Sequence, residues 1–226
     1  MSTFGGFTRE AIDFLVELAA HNDRAWFQPR KDDYERLLKR PMEDLCVALA
    51  GILDARGLPL VADPGRSPFR IYRDVRFSKD KSPYKTAVAA SFPWRDGTRD
   101  DRMGAYFHFE PGSMSAGGGM WHPDPARLAA WRRLVADDPA SVHAALDDAR
   151  FLAEAGPIRG EMLSRVPAGF AKDHPDADLL RLKDVIWSRP LADADVLSPE
   201  LPEILASLYS ASLPVLRLLA SLRTEG

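Results

Sequence analysis

Apolar side chains recur three and four residues apart over the first quarter of the chain. The repeat consists of Ile12, Leu15, Val16 and Ala19, and then of Leu45, Leu49 and Ile52. This spacing places each set on one side of a helix and predicts two amphipathic helices. Thr8 stands where the first helix needs an N-cap, and Gly57 stands where the second helix is expected to end.

From Pro59 onward the hydrophobic pattern changes to a period of two. Apolar Phe69, Ile71, Val75 and Phe77 alternate with Arg70, Tyr72, Asp74 and Arg76. This alternation predicts a strand over residues 69–77 with one apolar and one polar face. Residues 86–92, residues 105–110, the stretch around Met114 and the VIWSRPL sequence at 185–191 predict further strands.

Helical patterns return after these strands. Asp124 and Asp138 each precede a proline, which is typical of an N-cap followed by the first helical residue. Residues 201–222 predict a last helix that is kinked or broken by Pro214. The order of elements predicts an α+β fold in a single domain over residues 1–226. Its mostly antiparallel central sheet would span about residues 68–120, with the N-terminal and C-terminal helices packed on it.

The bulk composition excludes several classes of protein. At 226 residues, with 46% apolar and 28% charged residues, the chain can bury a core without a disulfide or a structural metal. The single cysteine, Cys46, excludes an intrachain disulfide and a Cys-rich zinc or iron–sulfur site, and its apolar neighbours predict a buried thiol. The sequence has no nucleophile elbow, no dinucleotide-binding glycine motif and no HExxH motif.

The predicted location is cytoplasmic. The opening residues, MSTFGGFTRE, have neither the basic start nor the apolar core of a signal peptide. The longest apolar run, residues 46–53, is too short to cross a bilayer, so no membrane association is expected.

Positive charge is concentrated in residues 66–85, which we call the basic segment. It contains seven cations, Arg66, Arg70, Arg73, Arg76, Lys79, Lys81 and Lys85, and two acids, Asp74 and Asp80. Its charge is therefore +5, whereas the whole chain has a formal charge of −3 and the remainder sums to −8. Clustered cations in an acidic protein favour an anion site, because guanidinium groups suit carboxylate and phosphate oxygens.

The expected ligand-binding residues lie within this segment: Arg70, Arg73, Asp74, Arg76, Lys81, Tyr84 and Lys85. Asp74 would orient the arginines that flank it on the polar face of the strand. Arg73 is exceptional, because alternation places it among the apolar residues, where an arginine is normally paired or functional. The alternative is a solvated strand face carrying Arg–Asp pairs.

A second polar cluster is Tyr106, His108 and Glu110, which alternation places on one face of a strand. His108 and Glu110 are the candidate catalytic residues, as a general base with its orienting carboxylate. The alternative is an ordinary polar strand face. The zinc deaminase signature needs two cysteines besides its His-x-Glu element, so one cysteine excludes that class.

The glycines at 117–119 allow two interpretations: a nest of backbone N–H groups for an anion, or close approach by another part of the chain. His122 and Asp124 could join His108 and Glu110 around a metal, but the N-cap role already explains Asp124. No metal and no cofactor are expected.

The basic segment resembles a known family, domain-of-unknown-function family 2461, which comprises conserved hypothetical proteins of bacteria with fungal relatives. Its signature is matched by Arg70, Arg73, Asp74, Arg76, Phe77, Asp80, Lys81 and Tyr84. Four other stretches also resemble the family: FGGFTREAIDFL near the start, NDRAWF at 22–27, GGGMW at 117–121 and GFAKDHPDADLLRLK at 169–183. The resemblance implies one full-length domain and implies no particular activity.

Three functional hypotheses follow. The first is a cleft that binds a phosphorylated or carboxylated small molecule; in an enzyme its cations would stabilise negative charge while His108 or Glu110 handles protons. The second is a nucleic-acid module in which Tyr72, Tyr84 and Trp94 stack on bases, although the sequence pI of 6.0 disfavours it. The third is a non-catalytic interaction or structural protein.

Overall fold

The central element is a four-stranded antiparallel sheet in the order β1-β2-β3-β4. The structure is a computed structural model that describes residues 4–76, 79–95 and 103–222. The strands are β1 (Val88–Pro93), β2 (Met103–Phe109), β3 (Ser115–Met120) and β4 (Val185–Pro190). β1, β2 and β3 follow one another along the chain, whereas β4 returns from the second half of the sequence to pair with β3.

Helices precede, interrupt and follow the sheet. They are α1 (Arg9–Ala20), α2 (Arg24–Phe27), α3 (Lys31–Tyr34) and α4 (Arg40–Ala55) before it, α5 (Pro125–Asp137), α6 (Pro139–Leu146), α7 (Ala149–Glu154) and α8 (Ala177–Arg181) between β3 and β4, and α9 (Asp193–Val196), α10 (Leu201–Ala211) and α11 (Leu213–Ala220) after it. A 3₁₀ turn (Gln28–Arg30) and a π-helical turn (Glu35–Lys39) join the early helices. The α+β fold predicted from the sequence is confirmed.

The local start signals act as predicted. The Thr8 side chain accepts a hydrogen bond from the Ala11 backbone N–H, and Asp124 and Asp138 cap α5 and α6 in the same way. A side-chain cap of this kind satisfies one of the backbone donors that a helix leaves unpaired at its first turn. Pro214 follows the break between α10 and α11, whose axes differ by 59°.

The two faces of the sheet have different surroundings. On one face, Phe107 and Phe109 of β2 are fully buried and pack against Phe7. Tyr209 of α10 lies on the same face and donates its hydroxyl hydrogen to the Tyr106 carbonyl. The other face carries the partly exposed Tyr106 side chain and is only partly covered by the basic segment.

The predicted strand at residues 69–77 is wrong over its described part, residues 69–76, and Phe77 lies outside the described residues. This stretch makes one isolated bridge, between Tyr72 and Tyr84, and Pro68 just before it makes another with Ala90. Pro68 and Pro83 have no N–H to donate to a neighbouring strand. The Arg76 N–H donates to the Asp74 side chain instead of to a strand. The sheet therefore starts at Val88, not near residue 68, and gains β4 instead.

The three consecutive glycines lie inside β3, where they pair with β2 and β4. A Cβ atom added to Gly118 would lie 2.9 Å from Trp187 Nε1 and 3.0 Å from the Gly104 carbonyl oxygen. The buried Trp187 indole therefore occupies the space that a side chain at Gly118 would need. Close approach, the second of the two interpretations, explains these glycines, because their backbone groups belong to the sheet ladder.

Within the described residues, no single helix combines the length and hydropathy needed to cross a bilayer. α10 and α11 would meet both criteria only if counted together across their bend.

Candidate functional site

A cleft of about 430 Å³ lies where the basic segment crosses the half-open face of the sheet. Its lining comes from the basic segment, from β1 with the residues just before it, and from β2. The lining residues are Phe69, Arg73, Lys85, Thr86, Ala87, Ala89, Tyr106 and His108. The structure thus brings together three predicted site residues, Arg73, Lys85 and His108, from two separate parts of the sequence.

Backbone hydrogen bonds hold the basic segment over the sheet. The Phe69 N–H donates to the Ala89 carbonyl at 2.8 Å, which fixes this residue against β1. Further along, the Lys85 N–H donates to the Ile71 carbonyl at 2.8 Å, and the Arg73 N–H donates to the Pro83 carbonyl at 3.0 Å. The segment therefore folds back on itself, and this turn brings Arg73 and Lys85 to the same cleft.

Lys85 is the cation with the most unusual surroundings. Its ammonium group lies 5.3 Å from the centre of the Phe69 ring. Partial burial, and secondarily the nearby Arg70 charge, lower the pKa of Lys85. Lys85 lines the cleft, and among the described residues no carboxylate forms an ion pair with it.

Arg73 is held in place from the side of the basic segment. Its Nη1 donates to Asp80 Oδ2, and its side chain is 31% exposed. Hydrogen bonds from Ser82, and then from Arg73, lower the pKa of Asp80 to about 2, so Asp80 stays ionised near neutral pH. An arginine placed among apolar residues was expected to be paired or functional. Arg73 is paired with Asp80, and it is also one of the residues that line the cleft.

A chain of hydrogen bonds runs along the cleft side of β2. Tyr106 Oη lies 3.2 Å from His108 Nδ1, and His108 Nε2 lies 3.2 Å from Glu110 Oε2. Thr86 donates its hydroxyl hydrogen to Glu110 Oε1 at 2.8 Å. The alternation that placed Tyr106, His108 and Glu110 on one face therefore agrees with the structure.

The direction of this chain follows from Glu110, whose carboxylate can only accept hydrogen bonds. Burial, and then the charge of Glu110, raise the pKa of Tyr106, so the phenol keeps its proton near neutral pH. Because the Glu110 carboxylate can only accept, a neutral His108 ring carries its hydrogen on Nε2, and Nδ1 then accepts from the Tyr106 O–H. Glu110 is therefore hydrogen-bonded to His108, and both Tyr106 and His108 line the cleft.

Other predicted ligand-binding residues lie outside the cleft lining. Asp74 and Arg76 pair with each other through two side-chain hydrogen bonds of 3.0 and 2.7 Å, on the exposed side of the segment. Lys81 donates to the Val75 carbonyl at 2.9 Å. Arg70 is exposed, and its charge contributes, after burial, to the lowered pKa of Lys85.

Tyr84 lies in the core, not at the surface. Its side chain is fully buried and stacks on Phe27 with ring centres 4.0 Å apart. Trp94 is partly buried against the hydrophobic core, and Tyr72 is 46% exposed. Of the three aromatic residues expected to stack on nucleic-acid bases, Tyr84 is therefore inaccessible and Trp94 is accessible only in part.

Sequence reasoning did not single out three lining residues of the cleft: Phe69, Thr86 and Tyr106. It also did not find the partner of His122. The buried Asp184 accepts hydrogen bonds from the His122 backbone N–H at 2.6 Å and lies 2.8 Å from His122 Nδ1. A sequence separation of 62 residues leaves no local signal for that pair.

The structure does not bring His108 and His122 together, because they lie towards opposite ends of the sheet. His108 is paired with Ser115 at the start of β3, whereas His122 follows the end of that strand. Over residues 4–76, 79–95 and 103–222, no group of three or more His, Cys, Asp or Glu side chains is arranged to hold a metal ion.

A second cleft has a volume of about 450 Å³, and its lining residues come from the part of the chain between β3 and β4. Its cations are Arg165, Lys172 and Arg181. Arg181 donates to the Leu163 carbonyl and to Asp178, so its guanidinium is already engaged. Its described lining residues include no counterpart of the Tyr106–His108–Glu110 chain, so this cleft is a cationic surface suited to comparison.

Taken together, fold and cleft define an α+β protein with a small cationic cleft on the partly covered face of an antiparallel sheet. A family model of conserved hypothetical proteins (DUF2461) matches residues 10–217, and the chain belongs to this family. Searches of curated proteins and of solved structures found no significant match.

Proposed function

We propose that the cleft between the basic segment and β2 binds the carboxylate or phosphate group of a small molecule. Lys85 is the observation that carries this proposal. It is a partly desolvated cation on the cleft wall without an ion-pair partner among the described residues. Partial desolvation disfavours its charge, and a bound anion would restore a favourable partner.

Arg73 supports the proposal from the opposite side of the turn in the basic segment. A guanidinium has five N–H donors in a fixed plane, and Asp80 engages Nη1. The other donors suit a planar carboxylate or a phosphate face. Because Asp80 already restricts the arginine, less side-chain freedom would be lost when an anion binds.

The hydrogen-bond chain on β2 gives the cleft a route for a proton. Tyr106, His108 and Thr86 border the cleft, and Glu110, which is outside the lining, accepts from His108 and Thr86. A ligand next to Tyr106 could exchange a proton with the phenol, while His108 supplies the next proton-accepting atom. In an enzyme, His108 and Glu110 would therefore handle protons, and Lys85 and Arg73 would stabilise negative charge.

The alternatives are weaker on specific grounds. A stacking surface for nucleic acid would need accessible rings, and Tyr84 is fully buried. A purely structural Arg–Asp network explains Asp74 with Arg76, but it does not explain a lysine without an ion-pair partner in the cleft. Binding to nucleic acid would show as affinity that falls steeply with salt, whereas a pocket for a small anion would depend on salt only weakly by comparison.

The test measures the dissociation constants of acetate, benzoate and inorganic phosphate for the wild-type protein and for Lys85→Gln. Calorimetry or NMR chemical-shift titration gives these constants. Loss of a charge-assisted contact should weaken the bound anion by about 1.5–3 kcal/mol, or roughly 10–150-fold. Arg73→Ala should weaken binding similarly while the protein stays folded, as judged by circular dichroism.

Two matched variants control for general loss of positive charge. Lys81→Gln removes a cation of the same segment outside the cleft, and Lys172→Gln removes one from the second cleft. Both should retain wild-type affinity. Equal affinity in wild type and Lys85→Gln, with all variants folded, would disprove the proposal.

A further inference from the structure

We propose that the ligand of this cleft carries its anionic group on an aromatic or similarly flat apolar body. The inference rests on the proposed anion site and names the class of compound that it would select. It distinguishes such acids from bare anions and from phosphorylated sugars.

The first support is the apolar part of the cleft wall. Phe69 is 44% exposed, although it is held against β1 by its backbone, and its ring centre lies 6.1 Å from that of Tyr106. The small side chains of Ala87 and Ala89 form the surface next to it. Phe69 and Tyr106 form an aromatic pair with ring planes inclined by 39°, and the exposed part of Phe69 beside the two alanines offers an apolar surface on which a ring can pack.

The second support is the position of the charge relative to this surface. The Lys85 ammonium lies 5.3 Å from the centre of the Phe69 ring. A carboxylate bound to Lys85 would therefore hold whatever it is attached to against or beside Phe69. The cleft volume of about 430 Å³ also lies within the range of pockets that enclose small organic molecules, roughly 300–1,000 Å³.

The third support is the state of the polar groups in the wall. Thr86 already donates to Glu110, Tyr106 lies next to His108, and both ring nitrogens of His108 have partners. The remaining donors of the lining are mainly the charged groups of Lys85 and Arg73. The hydroxyl groups of a sugar would find few partners there, and burying them without hydrogen bonds is costly.

The experiment uses pairs of probes that share an anionic group and differ in the body attached to it. The pairs are acetate with benzoate, and inorganic phosphate with phenyl phosphate; glucose 6-phosphate serves as the polar-bodied comparison. Each dissociation constant is measured by calorimetry on wild type, Phe69→Ala, Phe69→Leu and Lys85→Gln. Trp121→Ala, which removes a 53% exposed aromatic side chain beyond the end of β3, is the control.

We expect wild type to bind the phenyl member of each pair more tightly by a factor on the order of ten. Phe69→Ala should reduce this preference to nearly one with little change for acetate, and Phe69→Leu should keep part of it. Lys85→Gln should weaken both members of each pair, and Trp121→Ala should leave all affinities unchanged.

Equal binding of acetate and benzoate, lost in Lys85→Gln, would overturn this inference and leave the anion site intact. A phenyl preference that survives Phe69→Ala, or glucose 6-phosphate binding more tightly than phenyl phosphate, would also overturn it. Absence of binding by every probe would reject both the inference and the proposed function.

Discussion

Asn22 and the backbone of Tyr84 hold each other through two reciprocal hydrogen bonds. Asn22 Nδ2 donates to the Tyr84 carbonyl at 3.0 Å, and the Tyr84 N–H donates to Asn22 Oδ1 at 3.1 Å. The side-chain amide therefore binds one residue of the basic segment much as a neighbouring strand would. Because Lys85 follows immediately, this pair ties the position of the cleft cation to the junction between α1 and α2.

Asn22→Ala should destabilise the protein by about 1–3 kcal/mol, since two backbone groups of Tyr84 lose their partner. Asn22→Asp should cost at least as much, because an oxygen would then face the Tyr84 carbonyl oxygen. Chemical denaturation measures both effects. Gln28→Ala, at an exposed site in the same region, should change stability by no more than about 0.5 kcal/mol. Stability of Asn22→Ala equal to that of the control would contradict this role.

Two buried tyrosines should respond in opposite directions to loss of their hydroxyl group. The Tyr84 hydroxyl is buried without a hydrogen-bond partner among the described residues, whereas Tyr209 donates to the Tyr106 carbonyl at 3.1 Å. Tyr84→Phe should be neutral or stabilise the fold by about 1 kcal/mol, and Tyr209→Phe should destabilise it by a similar amount. Thermal and denaturant unfolding of both variants measure the difference.

The same pair of variants tests the prediction that Tyr84 binds the ligand. If its hydroxyl contacts a bound anion, Tyr84→Phe should weaken binding of acetate or phosphate even though the fold is not destabilised. If the side chain serves only the core, binding should stay at the wild-type level.

Gly119→Ala should prevent stable folding or cost about 3 kcal/mol or more. Gly119 has a φ angle of +123°, and an added Cβ would overlap the Val185 carbonyl of the neighbouring strand. Gly51→Ala is the matched control, because Gly51 lies on α4 with no atom within 4 Å of an added Cβ. There the change should stabilise the protein by about 0.5–1 kcal/mol. Similar effects at the two sites would refute the packing argument.

His143 should make stability depend on pH. Its Nδ1 lies 3.0 Å from Asp147 and its Nε2 lies 2.8 Å from Asp176, and hydrogen bonds, first to Asp176 and then to Asp147, raise the pKa of His143. A raised folded-state pKa means that protonated His143 stabilises the fold fully below pH 6.5, its ordinary pKa. This contribution should disappear as the pH rises through the folded-state pKa.

The measurement is the difference in unfolding free energy between wild type and His143→Gln across this pH window. The difference in unfolding free energy should be largest at the acid end and should shrink as the pH rises. The contributions of other titrating groups cancel between the two proteins, so the difference reports on His143. An NMR titration of the His143 ring gives the folded-state pKa independently. A difference that does not vary with pH would show that the two carboxylates do not stabilise the protonated ring.

Much of the local structure was predictable because its causes lie within a few residues. Thr8, Asp124 and Asp138 cap helices through bonds to backbone groups three residues away. Alternation alone placed Tyr106 and His108 on one face of β2, since successive side chains of a strand point to opposite sides. The break at Pro214 likewise follows from the missing N–H of proline.

The basic segment shows where the same reasoning failed. Its alternating pattern favours a strand, but strand pairing needs a partner with available backbone groups along its whole length. Pro68 and Pro83 interrupt those groups, and the Asp74 side chain competes for one of them. The pattern identified the residues that carry charge, and it misjudged the backbone conformation that presents them.

By itself, the sequence determined the helix starts, the polar face of β2 and the concentration of cations in residues 66–85. Only the tertiary structure decided that Lys85 faces a cleft while the adjacent Tyr84 enters the core, and that β4 returns to pair with β3. The physical reason is the range of the interactions. Caps and alternation depend on neighbours in sequence, whereas pairs such as Asn22 with Tyr84 or His122 with Asp184 join residues 62 positions apart and form only when the whole core packs.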